Sequence, residues 1–219
     1  MSVLPESTGD RERPVLHAAG LRKTYGDLMV FDDLTFDVAG GGVVALVGPN
    51  GSGKSTLLEC LAGATPLDAG TIALDGRRSD PSSAVHWRSV FGILDDFTWL
   101  PDLTVADHIL LMASGGDDDA VGAALEAFGV AGLRDRLPES LSAGQRRRAA
   151  LAAARVRPWR VLLLDEPEQH LDADGIDLLA AELTSMATPD RCIVLSSHSI
   201  GLVDRLGCPV LDLTPSERR

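Results

Sequence analysis

The stretch that decides the fold is Val43-Val44-Ala45-Leu46-Val47, followed at once by Gly48-Pro49-Asn50-Gly51-Ser52-Gly53-Lys54-Ser55-Thr56. Five apolar residues without alternation read as a strand buried on both faces, as in a parallel sheet. The residues from Ser55 to Ala62 have helical spacing, so the order is strand, Gly-rich turn, helix. That context is what a phosphate-binding loop requires. Gly48, Gly51 and Gly53 let the backbone approach phosphate and turn its N–H groups inward, Pro49, Asn50 and Ser52 complete the loop, and the helix adds the positive end of its dipole. Lys54 is expected to reach the β- and γ-phosphates, Ser55 to ligate Mg²⁺, and Thr56 to bond the α-phosphate. A Gly-rich turn of no function is the competing reading, and the flanking strand and helix argue against it.

Working outward, the same rhythm recurs towards the C-terminus. Val161-Leu162-Leu163-Leu164 reads as a buried strand, Ile176–Met186 as a helix, Cys192-Ile193-Val194-Leu195 as a strand, Ile200–Leu206 as a helix and Val210–Leu213 as a last short strand. The first of these strands ends in Asp165-Glu166, which places two carboxylates at the C-terminal edge of the sheet, where α/β ligand sites form. Asp165 suits Mg²⁺ or its bound water; Glu166 suits a base that polarises water against a γ-phosphate. Short β-type runs fill Val15 to Val38, punctuated by Gly26-Asp27 and Asp32-Asp33, and Thr71–Leu74 reads as another strand. From about 97 to 157 the chain is Ala- and Leu-rich with helical spacing, interrupted by Gly115-Gly116-Asp117-Asp118-Asp119. That acidic run reads as a solvated loop leading into a helix N-terminus and not as a metal site. Residues 1–13 are polar and read as a tail, which leaves 14–219 as one domain with a helical lobe inserted into a parallel core.

Within that lobe, Leu141-Ser142-Ala143-Gly144-Gln145 precedes Arg146-Arg147-Arg148 and an Ala-rich helix. Ser142 and the N–H groups of Ala143 and Gly144 open a helix N-terminus, a second anion-binding device; a plain helix cap is the alternative. At this point the chain resembles the ATP-binding cassette (ABC) ATPases, over roughly Val15 to Leu213. Gly48–Thr56 matches that family's Walker A loop, and Leu141–Gln145 its signature Leu-Ser-Gly-Gly-Gln with Ala143 in place of the first Gly. Val161–Glu166 matches Walker B, Leu171-Asp172 the D-loop, and His198 the switch His. Tyr25 falls where the family keeps an aromatic that stacks on adenine.

The resemblance implies a P-loop NTPase of α/β class: a parallel core sheet, an N-terminal antiparallel β subdomain and an inserted α-helical subdomain. It also implies a dimer in which ATP and Mg²⁺ lie between the Walker loop of one protomer and Ser142, Gly144 and Gln145 of the other. Catalysis would then rest on Glu166, His198 and Lys54, and the metal on Ser55, Asp165 and the residue at the family's usual Gln position. Counting from Phe91-Gly92 puts Asp96 at that position, whereas counting back from Leu103-Thr104-Val105 favours Asp95. A carboxylate there would alter the Mg²⁺ requirement.

Composition narrows the class. The 219 residues carry a formal charge of −12, which argues against a phosphate-backbone binder and hence a nucleic-acid partner. Three cysteines without metal-like spacing fit free thiols in a reducing cytosol, Cys60 and Cys192 buried within apolar runs. No window approaches the ~20 apolar residues of a membrane span. The family reading is therefore a cytoplasmic ATPase subunit beneath a separate transmembrane permease, moving solutes outward by its resemblance to compact exporter subunits. A non-transport ATPase and a regulatory half that binds ATP with altered hydrolysis are the alternatives. In the segment Phe97-Thr98-Trp99-Leu100-Pro101-Asp102-Leu103, Trp99-Leu100-Pro101 would be either a docking surface for the permease or, through Trp99, part of the lobe's interior.

Overall fold

The computed structural model describes residues 14–94, 97–113 and 118–214. The expectations for the tail 1–13, for Asp95 and Asp96, and for Gly115–Asp117 lie outside the described residues. The chain enters as β1 (Leu16–Tyr25) and β2 (Leu28–Val38), then β3 (Val43–Val47) and α1 (Lys54–Ala62). Strands β4 (Ala69–Leu74) and β5 (Arg77–Arg78), helix α2 (Ala84–Ser89) and strand β6 (Val90–Ile93) follow. Next come helices α3 (Val105–Met112), α4 (Asp118–Ala127) and α5 (Ala143–Val156). The C-terminal part is β7 (Val161–Leu164), α6 (Ala173–Met186), β8 (Cys192–Ser196), α7 (Ile200–Leu206) and β9 (Val210–Asp212).

Two sheets result. An antiparallel sheet has the order β2-β1-β4-β5, and a five-stranded sheet with all pairs parallel has the order β6-β7-β8-β3-β9. Each central parallel strand buries its residues alternately on two faces. Leu162, Leu164, Ile193 and Leu195 join Val105, Ile109, Leu125 and Leu151 of the helical lobe and Leu179 and Leu183 of α6 in one core. Leu163, Val194, Val44 and Leu46 join Leu57, Leu58 and Leu61 of α1 and Leu16, Leu21 and Phe36 of the antiparallel sheet in the other. Both faces being covered is why these strands are uniformly apolar in sequence.

One of the two expected breaks in the N-terminal sheet is absent. Gly26-Asp27 is the β1–β2 turn, but Asp32-Asp33 lies inside β2, with Asp33 at φ 53 beside register shifts in the β1–β2 pairing. β2 is an edge strand and both acids point to solvent, so they interrupt the pattern without ending the strand. In the lobe, Trp99 is half-buried and its ring meets Phe97 at 4.5 Å and His108 at 4.9 Å, while the neighbouring Leu100 is 48% exposed. The interior reading therefore holds for Trp99, and Leu100 is the residue shown to solvent. At the acidic run, Asp118 and Asp119 form the first turn of α4, and Asp118 pairs with Arg134 at 2.5 Å.

Candidate active site

The parallel order delivers three motifs to one edge. The loop Gly48–Gly53 leaves the C-terminal end of β3, Asp165-Glu166 leaves β7, and Ser196-Ser197-His198 leaves β8, which lies between them.

The loop is built for an anion. The N-caps of α2, α3, α5, α6 and α7, namely Ser83, Thr104, Ser142, Asp172 and Ser199, each accept a first-turn N–H with a side chain. The N-cap of α1 is Gly53, at φ 98, and gives no such bond. The first-turn amides of α1 therefore lack an acceptor from their own cap. The hydroxyl of Ser52 is buried with no partner among the described residues. Lys54, 6% exposed, folds back so that its Nζ donates to the carbonyls of Gly48 (2.9 Å) and Pro49 (3.1 Å). Ser55 is exposed and Thr56 half-buried. An uncapped helix end and an orphaned hydroxyl beside a buried ammonium suit phosphate oxygens.

The carboxylates are held by groups that sequence reading did not single out. Ser196, fully buried at the end of β8, donates its hydroxyl to Asp165 Oδ1 and accepts the Glu166 N–H at 2.9 Å. Glu166 sits at φ 44, a left-handed conformation that costs a non-glycine residue about 1–3 kcal/mol. Arg147, from the second turn of α5, donates to the carbonyls of Asp165, Glu166 (2.9 Å) and Pro167 (3.5 Å) and so braces that turn. The Glu166 carboxylate lies 3.1 Å from His198 Nε2 through Oε1, and Gln169 Nε2 donates to Oε2. The polar Ser196-Ser197 pair closing an apolar strand was the one visible hint of this network. Arg147 and Gln169 gave none, because their roles depend on contacts across 18 residues or on the turn itself.

Ser142 behaves as a capping box. Its Oγ accepts Gln145 N–H at 3.2 Å, and Gln145 Oε1 accepts Ser142 N–H at 3.0 Å, so Gln145 is committed to holding the helix start. The amides of Ala143 and Gly144, first in α5, have no intrahelical acceptor. A Cβ on Gly144 would meet the carbonyl oxygen of His170 at 2.6 Å, which fixes a glycine there.

Tyr25, at the end of β1, is 50% exposed, and Lys23 Nζ lies 5.0 Å from its ring centroid. Lys23 is buried and donates to the Pro66 carbonyl at 2.8 Å, with Asp68 at 4.0 Å. Asp68 in turn accepts the hydroxyl and N–H of Thr24, which hold its carboxyl below the usual carboxylate range. The cysteines follow the buried-thiol reading: burial pushes the Cys60 thiol up to about 11 and the Cys192 thiol up to about 12.

The combination of phosphate loop, parallel sheet and Asp-Glu edge defines a P-loop nucleotide hydrolase. Residues 31–169 match the model of the ABC transporter family, and the chain belongs to that family. It is 36% identical over 94% of its length to the aliphatic sulfonates import ATP-binding protein SsuB 2 of Burkholderia cenocepacia, of which it covers 76%. It is 33% identical to the Nod factor export ATP-binding protein I of Ralstonia nicotianae, over 92% of this chain and 65% of that protein. The fold superposes on the ATP-binding subunit of an ABC transporter with a TM-score of 0.80 at 24% identity, covering 90% of this chain and 85% of that one. It likewise matches a bacterial Atm1-family exporter with ATP bound, TM-score 0.81 at 24% identity, covering 94% of this chain and 38% of that one. The chain is thus an ATP-binding ATPase subunit of a transporter, of the kind that pairs with a second such subunit and with a transmembrane permease. Among the described residues no helix is long and apolar enough to cross a membrane.

Proposed function

We propose that this chain hydrolyses ATP at sites shared between two protomers and so drives outward transport by a separate permease. Residues 14–219 would act as one cassette, with the lobe at about 97–157 carrying the signature. The observation that supports this best is the pair of unmatched groups at the loop, the uncapped Gly53 end of α1 and the buried Ser52 hydroxyl without a partner among the described residues, beside the Lys54 ammonium held by the Gly48 and Pro49 carbonyls. Gly48–Thr56 would cradle the phosphates, Tyr25 would stack on adenine, and Glu166, held by His198 and Gln169, would accept the proton of the attacking water. Ser142, Gly144 and Gln145 would complete the pocket of the partner protomer.

Mg²⁺ would be held by Ser55 and Asp165, with Asp96 as the further carboxylate. A hydroxyl and a carboxylate are hard oxygen donors, which suit Mg²⁺ bound through few side chains and substrate phosphate oxygens. When bound, the ion would neutralise phosphate charge.

A groove of about 380 Å³ lined by Trp87, Leu100, His108, Leu111 and Arg157 suits a docking segment of the permease, which would hold the chain at the cytoplasmic face. The named relatives serve both import and export, so direction has its own test. Deleting the chain should leave one small molecule accumulated inside cells relative to medium; the reverse imbalance would overturn export. For hydrolysis, phosphate release should be Mg²⁺-dependent in the wild type and lost in Lys54→Ala and Glu166→Gln. Release persisting in Glu166→Gln would overturn its role.

A further inference from the structure

The turn that carries Glu166 also carries Glu168, a carboxylate to which the reaction gives no role. Its Oε1 accepts three bonds, from Ser197 Oγ at 2.5 Å, His198 N–H at 3.1 Å and Ser199 N–H at 3.2 Å. Ser197 is 2% exposed, and its hydroxyl oxygen also accepts the Ser199 N–H at 2.9 Å. Ser199 is the N-cap of α7, bonding Leu202 N–H at 3.2 Å. The donors to Glu168 thus lie in three consecutive residues centred on His198, whose imidazole reaches back to Glu166. The other oxygen, Oε2, is buried with no partner among the described residues, a desolvation cost that a solvent-facing rotamer would avoid.

We propose that Glu168 is a positioning residue that clamps the main chain on both sides of His198 and so sets its imidazole against Glu166. Both members of the Glu166–His198 contact then rest on one four-residue turn: Glu166 directly, His198 through Glu168. A shift of the β8–α7 connection relative to β7 would be resisted by charge-assisted bonds, which are stronger than neutral ones. Among the described residues the hydrogen-bond partners of the Glu168 carboxylate lie in Ser197–Ser199 and not in the loop Gly48–Gly53, so its influence on rate runs through His198. The inference rests on the reading that Glu166 and His198 serve hydrolysis.

A double-mutant cycle in the full chain, with kcat and KM for ATP measured beside thermal melting, tests it. Glu168→Ala should lower kcat roughly tenfold or more with KM within about twofold, and Glu168→Gln, which keeps an acceptor, should recover part of the rate. In a His198→Ala background, Glu168→Ala should cost less than about twofold further, because its effect is already spent. An equal loss in both backgrounds, a KM that rises with the fall in kcat, or a wild-type rate for Glu168→Ala would overturn the clamp. A wild-type rate for His198→Ala would instead overturn the reading of His198. If Glu168→Ala melts below the assay temperature, Ser197→Ala removes one donor and takes its place in the cycle. A loss of kcat that vanishes in the His198→Ala background then supports the clamp, and an equal loss in both overturns it.

Discussion

Replacing Gly53 by Ala perturbs the loop at the point where two independent constraints meet. The residue sits at φ 98 and ψ 11, and a Cβ there would lie 2.4 Å from Val30 Cγ1 of β2. Left-handed backbone costs an L-residue roughly 1–2 kcal/mol, and forcing a methyl against a packed side chain adds about 1–3 kcal/mol. Together about 3 kcal/mol is expected, which for a chain of this size lowers Tm by roughly 6–12 °C. Calorimetry of Gly53→Ala against wild type measures the total. The two parts separate in a cycle with Val30→Ala, which removes the steric part and leaves the conformational one. The Gly53→Ala penalty should shrink by about 1 kcal/mol or more in that background. A Tm within about 2 °C of wild type, or a penalty identical in both backgrounds, would refute the account of why this position is glycine.

Other consequences follow from the bracing of the site. Arg147→Met removes the donors to the carbonyls of Asp165, Glu166 and Pro167 and should lower kcat about tenfold while KM for ATP stays within about twofold; an unchanged kcat would show that the Glu166 turn holds itself. Lys23→Met takes the ammonium from the Tyr25 ring and the Pro66 carbonyl, so KM for ATP should rise with kcat nearly constant in a steady-state titration. Cys60 and Cys192 have thiol pKa values raised by burial, so the folded state keeps protons that the unfolded chain releases. Their contribution is full below the ordinary thiol value and is lost as pH rises towards about 11 and about 12 respectively. Melting followed with rising pH should therefore fall less steeply for a Cys60→Ala, Cys192→Ala double variant; parallel curves would contradict this.

Sequence exposed those parts of the molecule that local chemistry dictates. The run Val43–Val47 is uniformly apolar because β3 is covered on both faces, and Gly48, Gly51 and Gly53 all have positive φ, so strand, turn and helix were legible together. Asp165-Glu166 was legible because an apolar strand that ends in acids marks a sheet edge. The bracing was not legible. Ser196, Arg147 and Glu168 act through contacts between segments 18 to 31 residues apart: the pairing of β7 with β8 brings Ser196 and Glu168 together with their partners, and Arg147 reaches the turn from α5. Asp32-Asp33 misled for the converse reason: on an edge strand a charge costs nothing, so local polarity did not mark a strand end. Trp99 shows a similar limit, since whether an aromatic in a loop packs inward depends on Phe97 and His108, which meet it only after folding.

The central claim is that each ATP site is shared between two protomers, and mixing tests it most directly. Lys54→Ala spoils the loop, whereas Ala143→Glu places a carboxylate at the start of α5, where it suits the helix dipole and repels phosphate. Each variant alone carries the same defect in both sites of its dimer and should release no phosphate above background. Mixed in equal amounts, they form dimers in which one site joins an intact loop to an intact signature. The account predicts that the mixture hydrolyses ATP while neither variant does alone; a mixture as silent as its components, with mixed dimers demonstrated by tagged co-purification, would contradict it.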